Sequence, residues 1–300
     1  MDESGGVYLN STFKTLPAKF LWDRIFVYPV TESGYKIEFY TDTGGGGMFL
    51  SPDVSNDLGL PANKKVMEDG EEKTVVPFPT FQEGLSIPSG AQVRDLIVYS
   101  EIPWGKGFLG QSWFADRVWL LDYINKEMGY LSNTSSYHTN GFKCTNIWFK
   151  ENQTGKREVS FPRIQAKIDG ETLDFLFDTG ATVYLTDHAL ETLNNGDEVF
   201  RGTSFITRSI FEKWRVKHPE WTVIEQADRI GNEALIKVPM VEVAGLQVGP
   251  VWFTRRNDAN FHEAMSQWMD KKVEGALGGS VFKYFTIIID YPNAKAFFKC

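Results

Sequence analysis

The sequence has few of the features that mark membrane proteins or disulfide-rich proteins. Its 300 residues include only two cysteines, Cys144 and Cys300, which leaves one disulfide and two free thiols both open. No apolar run approaches the roughly 18 residues that a membrane helix needs. The acidic opening MDESGG also lacks the positive charge of a signal peptide. We therefore expect no membrane partner, and a location that is either cytoplasmic or reached through an export signal outside this sequence.

Cations and histidines are scarce as well. The chain has 31 lysines and arginines against 39 acids, a net charge of -8, and no basic run that could follow a phosphate backbone. Its four histidines are scattered, and no HExxH motif is present. The serines of GQSWF and GGSVF lack the second glycine of a hydrolase nucleophile elbow. We expect no nucleic-acid partner, no metal and no cofactor.

The chain does contain an internal repeat and enough apolar residues for a large core. It is 42% hydrophobic and 14% aromatic, and its length suits two domains or two lobes. The segment FLFDTGATVYLTDHALETL, from Phe175, aligns with EFYTDTGGGGMFLSPDVSNDL, from Glu38, once one additional glycine is allowed in the earlier copy. This alignment makes Asp178 the counterpart of Asp42.

Similar elements flank both aspartates. Gly34 and Gly170 each stand shortly before the acid, within segments that predict a hairpin leading into the acidic loop. Each loop is followed by a short strand and then by a helix, which begins after Ser51 in one copy and at Thr186 or Asp187 in the other. The pattern of hairpin, acidic loop, strand and helix therefore occurs twice.

A second pair of segments matches without a gap. GFLGQSWFADRVWLLDY, residues 107–123, and GALGGSVFKYFTIIIDY, residues 275–291, share Gly, Leu, Gly, Ser, Phe, Asp and Tyr in register. VWLLDY and FTIIIDY are short, continuous and rich in apolar residues that favour strands, as buried strands are. The repeated unit is therefore predicted to be mainly β.

The second copy is longer and contains two helical patterns. SFITRSIFEKW, residues 204–214, stops before Pro219, and DANFHEAMSQWMD, residues 258–270, spaces Phe261, Met265, Trp268 and Met269 along one face. We interpret both as packing helices. The polar segment SNTSSYHTNGFKCTN marks a connection between the copies. We expect three parts, namely an N-terminal lobe at 1–131, a linker at 132–158 and a C-terminal lobe at 159–300.

Two such loops in one chain could form a catalytic pair if the copies pack about a pseudo-twofold axis. Two aspartates roughly 3 Å apart cannot both ionise, so they share one proton and supply one acid and one base. A water between them could be deprotonated by one carboxyl group while the other protonates a carbonyl oxygen. Thr43 and Thr179 could each hydrogen-bond the backbone of the opposite loop. Gly44 and Gly180 would allow backbone amides to approach the carboxylates.

The paired DTG loops, each with a Leu-Gly pair and a buried strand downstream, resemble the pepsin and retropepsin class of aspartic proteases over most of the chain. The resemblance implies a mainly β, bilobal acid-protease fold with pseudo-twofold related lobes and a few helices, mostly in the second lobe. It implies that Asp42 and Asp178 are the catalytic dyad and that Thr43 and Thr179 interlock beneath it. It also assigns supporting roles to the loop glycines and to the strands through each loop: Gly44, Gly180, Leu109, Gly110, Leu277 and Gly278.

The function implied by this resemblance is that of an aspartic-type endopeptidase. We expect a monomer that binds an extended polypeptide substrate in the cleft between its lobes by strand-like pairing. The alternative is a catalytically inactive peptide-binding or inhibitory module on the same scaffold.

The residue after each DTG differs from that of most pepsin-like enzymes, which carry Ser or Thr there. This chain has Gly45 and Ala181, and retropepsins have Ala. A missing hydroxyl removes a hydrogen bond that would stabilise the ionised carboxylate, which should raise the pKa of the dyad. We therefore expect activity at mildly acidic to neutral pH.

The hairpin that would cover the site is also atypical, because residues 60–90 contain no Tyr or Trp. KKVMEDGEEKTVV is predicted to form a hairpin that turns at Asp69 and Gly70 with an acidic tip. That tip could favour basic substrates, or it could be an ordinary solvated turn. ADRIGNEALI predicts a comparable hairpin in the second lobe.

Two simpler interpretations of the glycine quartet Gly44 to Gly47 have less support. A phosphate-binding loop requires a following Lys-Ser or Lys-Thr, and the sequence continues with MFLSPDV instead. A plain turn with a structural acid would be the default for a single copy, but the second copy disfavours it for both.

Overall fold

Apolar runs rich in β-branched and aromatic residues form strands along most of the chain. The computed structural model describes residues 13–68, 70–131 and 137–300. Up to residue 131, the strands are β1 (Phe13–Thr15), β2 (Ala18–Leu21), β3 (Arg24–Val27), β4 (Phe39–Thr41), β5 (Met48–Leu50), β6 (Lys64–Glu68), β7 (Glu71–Pro77), β8 (Asp95–Val98), β9 (Gly107–Leu109), β10 (Val118–Asp122) and β11 (Glu127–Leu131), and the helices are α1 (Pro52–Asp57) and α2 (Gln111–Phe114).

The remainder of the chain contains more strands and more of the helices. The strands are β12 (Lys143–Asn146), β13 (Arg163–Ile168), β14 (Glu171–Phe177), β15 (Thr182–Tyr184), β16 (Phe200–Gly202), β17 (Ser204–Thr207), β18 (Val223–Asp228), β19 (Glu233–Val238), β20 (Val241–Val243), β21 (Leu246–Val248), β22 (Val251–Arg256), β23 (Gly275–Leu277), β24 (Thr286–Asp290) and β25 (Lys295–Lys299). The helices are α3 (Asp187–Leu193), α4 (Arg208–Lys217) and α5 (Gly279–Phe282), with a π-helical turn at Asn260–Met265 and a 3₁₀ turn at Ser266–Trp268.

Two large sheets define two lobes. The first lobe is an eight-stranded sheet in the order β2-β3-β4-β9-β5-β8-β7-β6, and the second lobe is a nine-stranded sheet in the order β18-β19-β22-β17-β23-β14-β13-β20-β21. Seven strands follow the same pairing order in both lobes, with β4 parallel to β9 in one and β14 parallel to β23 in the other. The prediction of a mainly β, two-lobed fold with a few helices is confirmed.

A third sheet of six strands joins the two halves in the order β1-β11-β10-β24-β25-β12. At its centre β10 and β24 pair antiparallel, with Leu120 opposite Ile288. These are the strands VWLLDY and FTIIIDY, and they are buried as predicted. Asp122 and Asp290 end them and accept hydrogen bonds from the N–H groups of Asn125 and Asn293 in the following turns. Within the predicted linker, β12 pairs with β25 at the edge of this sheet.

The predicted hairpins and capped helices around the two aspartates are present. Gly34 and Gly170 lie in the turns with φ of 87° and 81°, a left-handed conformation that glycine adopts without strain. The helix α1 begins directly after Ser51. The helix α3 begins after Thr186, whose hydroxyl oxygen accepts a hydrogen bond from the N–H of Ala189.

Two predictions for the longer second lobe are wrong in part. Residues 204–207 form β17 rather than the start of a helix, because they pair with β22 on one side and β23 on the other, and this sheet pairing overrides the local helical pattern. Residues 258–270 form short π and 3₁₀ turns instead of one packing helix. Phe261 and Met269 are buried there, but Trp268 is 47% exposed.

The strand that follows the second acidic loop also differs from its counterpart. In the first lobe β5 pairs with β9 and β8, whereas β15 pairs with β16 in a separate two-stranded sheet. The place of β5 is taken in the second lobe by β17.

Among the described residues, no helix is both long and apolar enough to cross a membrane. Cys144 and Cys300 are exposed, and both are free thiols.

Candidate active site

Each acidic loop begins where a buried strand ends. β4 leads into Asp42 and β14 leads into Asp178, and both strands are apolar and buried at that end. The N–H of Asp42 donates to the carbonyl oxygen of Leu109 over 3.0 Å, and the N–H of Asp178 donates to that of Leu277 over 2.8 Å. The Leu-Gly strands predicted from the sequence therefore run through the loops and hold the backbone of each aspartate.

Thr43 and Thr179 tie the two loops together beneath the carboxyl groups. The hydroxyl of Thr43 donates to the carbonyl oxygen of Phe177 over 2.7 Å, and that of Thr179 donates to Thr41 over 3.5 Å. Each hydroxyl oxygen also accepts a hydrogen bond from the backbone N–H of the other threonine, over 3.0 and 3.1 Å. Both side chains are fully buried, so this four-bond lattice fixes one loop against the other.

The glycine of each DTG faces the carboxyl group of the opposite loop. A Cβ atom at Gly44 would lie 2.6 Å from Cγ of Asp178, and one at Gly180 would lie 2.1 Å from Cγ of Asp42. Any side chain at either position would therefore displace a carboxyl group. The N–H of each glycine also donates to the aspartate of its own loop, over 2.7 Å in the first and 2.9 Å in the second.

The two carboxyl groups lie close enough for each to shift the pKa of the other, and their environments are unequal. Burial raises the pKa of Asp42, while the hydrogen bond from Asp178 and the loop N–H groups offset part of that increase. Burial and then the negative charge of Asp42 raise the pKa of Asp178 well above its usual range. Asp178 is 9% exposed and Asp42 is more exposed, so a small molecule can reach the pair.

Gly45, which stands where most pepsin-like enzymes have a hydroxyl residue, is explained by its neighbour Phe108. A Cβ at Gly45 would lie 2.2 Å from Cζ of Phe108 and 3.0 Å from Oδ2 of Asp42. The phenyl ring thus fills the space of the missing side chain, beside the carboxyl group. In the second lobe Ala181 corresponds to Gly45, and Ala276 corresponds to Phe108. The larger loop residue of the second lobe is therefore paired with a smaller strand residue.

Phe108 belongs to an aromatic cluster that the sequence did not single out. Phe26, Tyr40 and Phe108 are its buried members, and Tyr28, Phe49, Ile102 and Trp104 pack against them. Tyr40 is fully buried, and its hydroxyl donates to the carbonyl oxygen of Gly180 over 2.8 Å. Side-chain alternation along the strand that ends at Thr41 could have indicated Tyr40, because it lies two residues before Asp42.

Both predicted hairpins near the loops are present, although Asp69 lies outside the described residues. β6 and β7 form the first hairpin, and its acidic residues Glu71 and Glu72 are ion-paired with Lys73 and Lys65 of the same hairpin. The Lys73 ammonium also lies 5.2 Å from the centre of the Tyr99 ring, which packs on the aromatic cluster through Phe49. β18 and β19 form the second hairpin.

Other kinds of site have little support in the described parts of the chain. No group of three or more His, Cys, Asp or Glu side chains there could hold a metal ion. His218 is only partly exposed beside Asp169, whose hydrogen bond raises the pKa of the imidazole, and His262 hydrogen-bonds Glu274. Ser112 lies in α2, and Ser280 donates to the carbonyl oxygen of Trp252. None of these groups lies in the acidic loops.

Comparisons with known proteins add a structural similarity. No model of a protein family and no curated protein matches the sequence. The structure is similar to the crystal structure of an aspartic proteinase from Irpex lacteus, with 13% sequence identity and a TM-score of 0.49, over 95% of this chain and 96% of that chain. A similarity of this strength carries no inference about chemistry, so the function has to be argued from the geometry of the loops.

Proposed function

We propose that this protein is an aspartic-type endopeptidase in which Asp42 and Asp178 activate a water molecule. The observation that carries the proposal is that the two loops interlock through Thr43 and Thr179, so that the glycine of each loop faces the carboxyl group of the other. Burying two facing acids is costly for a folded protein, because each desolvated carboxyl group disfavours its charged form. Catalysis that needs one acid and one base in the same place accounts for keeping both.

The proposed mechanism follows from the unequal pKa values. Asp42, in its ionised form, accepts a proton from water, and the resulting hydroxide adds to the peptide carbonyl carbon. Asp178 donates its proton to the carbonyl oxygen, which gives a tetrahedral diol. The C–N bond then breaks as Asp42 gives its proton to the amine nitrogen and Asp178 takes a proton from a hydroxyl of the diol, which leaves a carboxylic acid and restores the starting protonation of the dyad. The rigid threonine lattice would keep both carboxyl groups in place without reorganisation.

The proposed pH range is mildly acidic to neutral. The mechanism requires that one carboxyl group be protonated and the other ionised, so activity lies between the two apparent pKa values of the pair. Burial raises the pKa of both groups, and Asp178 is the more strongly affected. Gly45 supplies no hydroxyl group that would lower the pKa values of the two carboxyl groups. A narrow optimum near pH 2 to 3 would contradict this part of the proposal.

The substrate in this proposal is an extended polypeptide bound between the lobes by one chain acting alone. The loops that carry Asp42 and Asp178 come from different lobes, so a peptide that reaches both carboxyl groups must lie where the lobes meet. Extended backbone can pair with strand edges on either side. A monomer suffices, because both acids belong to the same chain.

The experiment is to assay cleavage of an unstructured protein from pH 3 to pH 8 by the unaltered chain, Asp42→Asn and Asp178→Asn. We expect each substitution to lower kcat by a factor on the order of 10² to 10⁴, the range for loss of a catalytic acid or base. Asp53→Asn, at an exposed aspartate of α1, is the matched control and should leave kcat unchanged. Cleavage that survives both dyad substitutions would reject the assignment.

Binding of a peptide that carries a hydroxyl in place of the scissile carbonyl separates the peptidase from its alternative. A chain that cleaves and is inhibited by this analogue behaves as a peptidase. A chain that binds ordinary peptides equally well with or without the two aspartates, and cleaves none, would be the inactive binding module instead.

A further inference from the structure

Arg24 has a buried guanidinium whose hydrogen bonding is incomplete among the described residues. It opens β3 and is only 6% exposed, and its Nε and Nη1 atoms have no hydrogen-bond partner in the parts of the chain that the structure describes. Burial lowers the pKa of this guanidinium, yet an arginine stays charged in proteins. A buried charge without hydrogen bonds is among the most costly arrangements in a folded protein, so Arg24 calls for an explanation.

Aromatic rings from both lobes surround this guanidinium. Its Cζ lies 5.4 Å from the ring centre of Phe26, 5.6 Å from that of Trp104 and 5.8 Å from that of Phe200. Trp104 comes from the first lobe and Phe200 from the second, and their ring centres are 6.0 Å apart. Rings attract a cation through their faces, but they do not replace the acceptors that in-plane N–H groups need. Arg24 therefore lies where the lobes meet, with donors still unused.

The guanidinium is also close to the proposed dyad. Arg24 and Phe26 alternate with core residues along β3, so they share the face that carries the aromatic cluster. The ring centre of Phe26 lies 5.0 Å from that of Tyr40, and Tyr40 donates to Gly180 in the second acidic loop. A series of contacts from Arg24 through Phe26 and Tyr40 therefore reaches the loop that carries Asp178.

The acids nearest to Arg24 act only from a distance. Glu198 and Glu38 raise its pKa through their charge, without a hydrogen bond. Glu198 is already held by the N–H of Phe200 over 2.9 Å. Glu38 lies beside Tyr28, where burial and the negative charge of Glu38 raise the pKa of Tyr28 to about 12. Neither carboxylate accepts a hydrogen bond from the guanidinium of Arg24.

Two of the rings that surround Arg24, those of Trp104 and Phe200, are partly exposed. Trp104 lies in the segment between β8 and β9, which has no helix or strand, and its indole is partly exposed. Rotation of a partly exposed side chain is a fast, low-cost event. A substrate that displaced the Trp104 ring would meet a charged donor pair in a desolvated place, where charge-assisted hydrogen bonds are strong.

We propose that Arg24 binds a carboxylate of the polypeptide substrate, and that an acidic side chain at one fixed distance from the cleaved bond is a specificity determinant of this enzyme. The inference rests on the proposed peptidase function. A guanidinium suits this role because its planar N–H groups match the two oxygens of a carboxylate. The net charge of -8 disfavours acidic substrates in general. One buried cation at Arg24 would therefore favour an acidic side chain at a single position of the substrate only.

The test is a peptide library cleaved by the unaltered protein, followed by kinetics on matched pairs that differ only by Glu or Gln at the selected position. We expect kcat/KM to be about 10- to 100-fold higher for Glu, the range for a hydrogen-bonded charge pair. Arg24→Gln should reduce this ratio to near 1 while cleavage of the Gln peptide persists. Arg24→Lys, which keeps the charge and loses the planar fork, should give an intermediate ratio.

Two further variants separate specific binding from general charge effects. Lys36→Gln removes one positive charge from an exposed residue near Tyr28 and should leave the ratio unchanged. Glu198→Gln removes a nearby negative charge and should increase the ratio. Library peptides with a free or an amidated C-terminus distinguish the source of the carboxylate: a preference lost on amidation assigns the site to the chain terminus and still supports Arg24 as the carboxylate site.

The outcomes distinguish this inference from the proposed function. A protein that cleaves peptides with a Glu to Gln ratio near 1, or with a ratio that Arg24→Gln does not alter, overturns the role of Arg24 and leaves the peptidase intact. A protein that cleaves no peptide at all overturns the proposed function, and the inference fails with it.

Discussion

The hydroxyl group of Tyr40, in the first lobe, donates a hydrogen bond to the carbonyl oxygen of Gly180, in the acidic loop of the second lobe, over 2.8 Å. The same hydroxyl lies 3.0 Å from that of Thr182, which also donates to Gly180 over 2.9 Å. The corresponding residue of β14 is Leu176, which has no hydroxyl. The two loops are therefore braced unequally, and Tyr40 fixes the loop of Asp178 from the opposite lobe.

Replacing Tyr40 by Phe should weaken this brace without opening a cavity. Gly180 keeps its hydrogen bond from Thr182, so we expect the free energy of unfolding to fall by only about 1 kcal/mol. Displacement of the Asp178 loop should lower kcat/KM by roughly threefold to tenfold, and the pH profile should shift because the environment of Asp178 changes. Urea unfolding and kcat/KM from pH 3 to pH 8 measure both effects. Tyr28→Phe is the control, because Tyr28 packs against the same aromatic cluster but lies beside Glu38 rather than Gly180; equal losses of activity in both variants would argue against the brace.

The threonine lattice predicts an asymmetric cost of substitution. Thr43 donates over 2.7 Å and Thr179 over 3.5 Å, so the Thr43 bond is the stronger of the two. We expect Thr43→Val to lower the free energy of unfolding by about 2 to 3 kcal/mol, because a buried carbonyl and a buried N–H lose their partners. Thr179→Val should cost about 1 kcal/mol less. Chemical unfolding of both variants compares them, and equal costs would refute the asymmetry.

Gly45 and Phe108 should behave as a coupled pair. Gly45→Ala places a Cβ 2.2 Å from the Phe108 ring, so the ring must move, at an expected cost of about 1 to 3 kcal/mol in the free energy of unfolding. The double variant Gly45→Ala, Phe108→Ala recreates the arrangement of Ala181 and Ala276. We expect its cost to be about 1 to 2 kcal/mol less than the sum of the single costs. Additive costs in this double-mutant cycle would show that the two residues do not compete for space.

The pH dependence of stability should report on Asp178. Its pKa is raised in the folded protein above the value near 3.9 of an unfolded chain, so the folded state binds the proton more tightly. The stability contributed by this group is present in full below about pH 4 and is lost as the pH rises through the folded pKa. Asp178→Asn should therefore gain stability relative to the unaltered protein as the pH is raised toward 7, which urea unfolding at several pH values measures.

Asp53 supplies a control of opposite sign for that experiment. A hydrogen bond from Lys106 lowers the pKa of Asp53 to about 2, so its contribution is present above about pH 4 and is lost as the pH falls toward 2. Asp53→Asn should thus lose a small amount of stability at neutral pH and none at the lowest pH. A constant stability difference across all pH values for Asp178→Asn would contradict the assigned protonation.

Local patterns predicted the elements around the two aspartates well. The turns at Gly34 and Gly170 and the helices after Ser51 and Thr186 depend on hydrogen bonds within a few residues, so a short stretch of sequence contains the information. The opposite holds for residues 204–207, where the helical pattern is correct locally but two neighbouring strands supply better backbone partners. Such partners come from residues about 50 to 70 positions away, which no local window includes.

The candidate site also combines features that local sequence predicts with features that only tertiary packing creates. By itself the sequence determined that two DTG segments exist, that each follows a buried strand, and that each has a Leu-Gly pair to run through it. Only the tertiary structure decided that the loops of Asp42 and Asp178 interlock, that Phe108 occupies the space beside Gly45, and that two donor atoms of Arg24 are buried without a hydrogen-bond partner among the described residues. These relationships depend on how the two lobes pack, and side chains that meet across such an interface are distant in sequence and have no periodic signal.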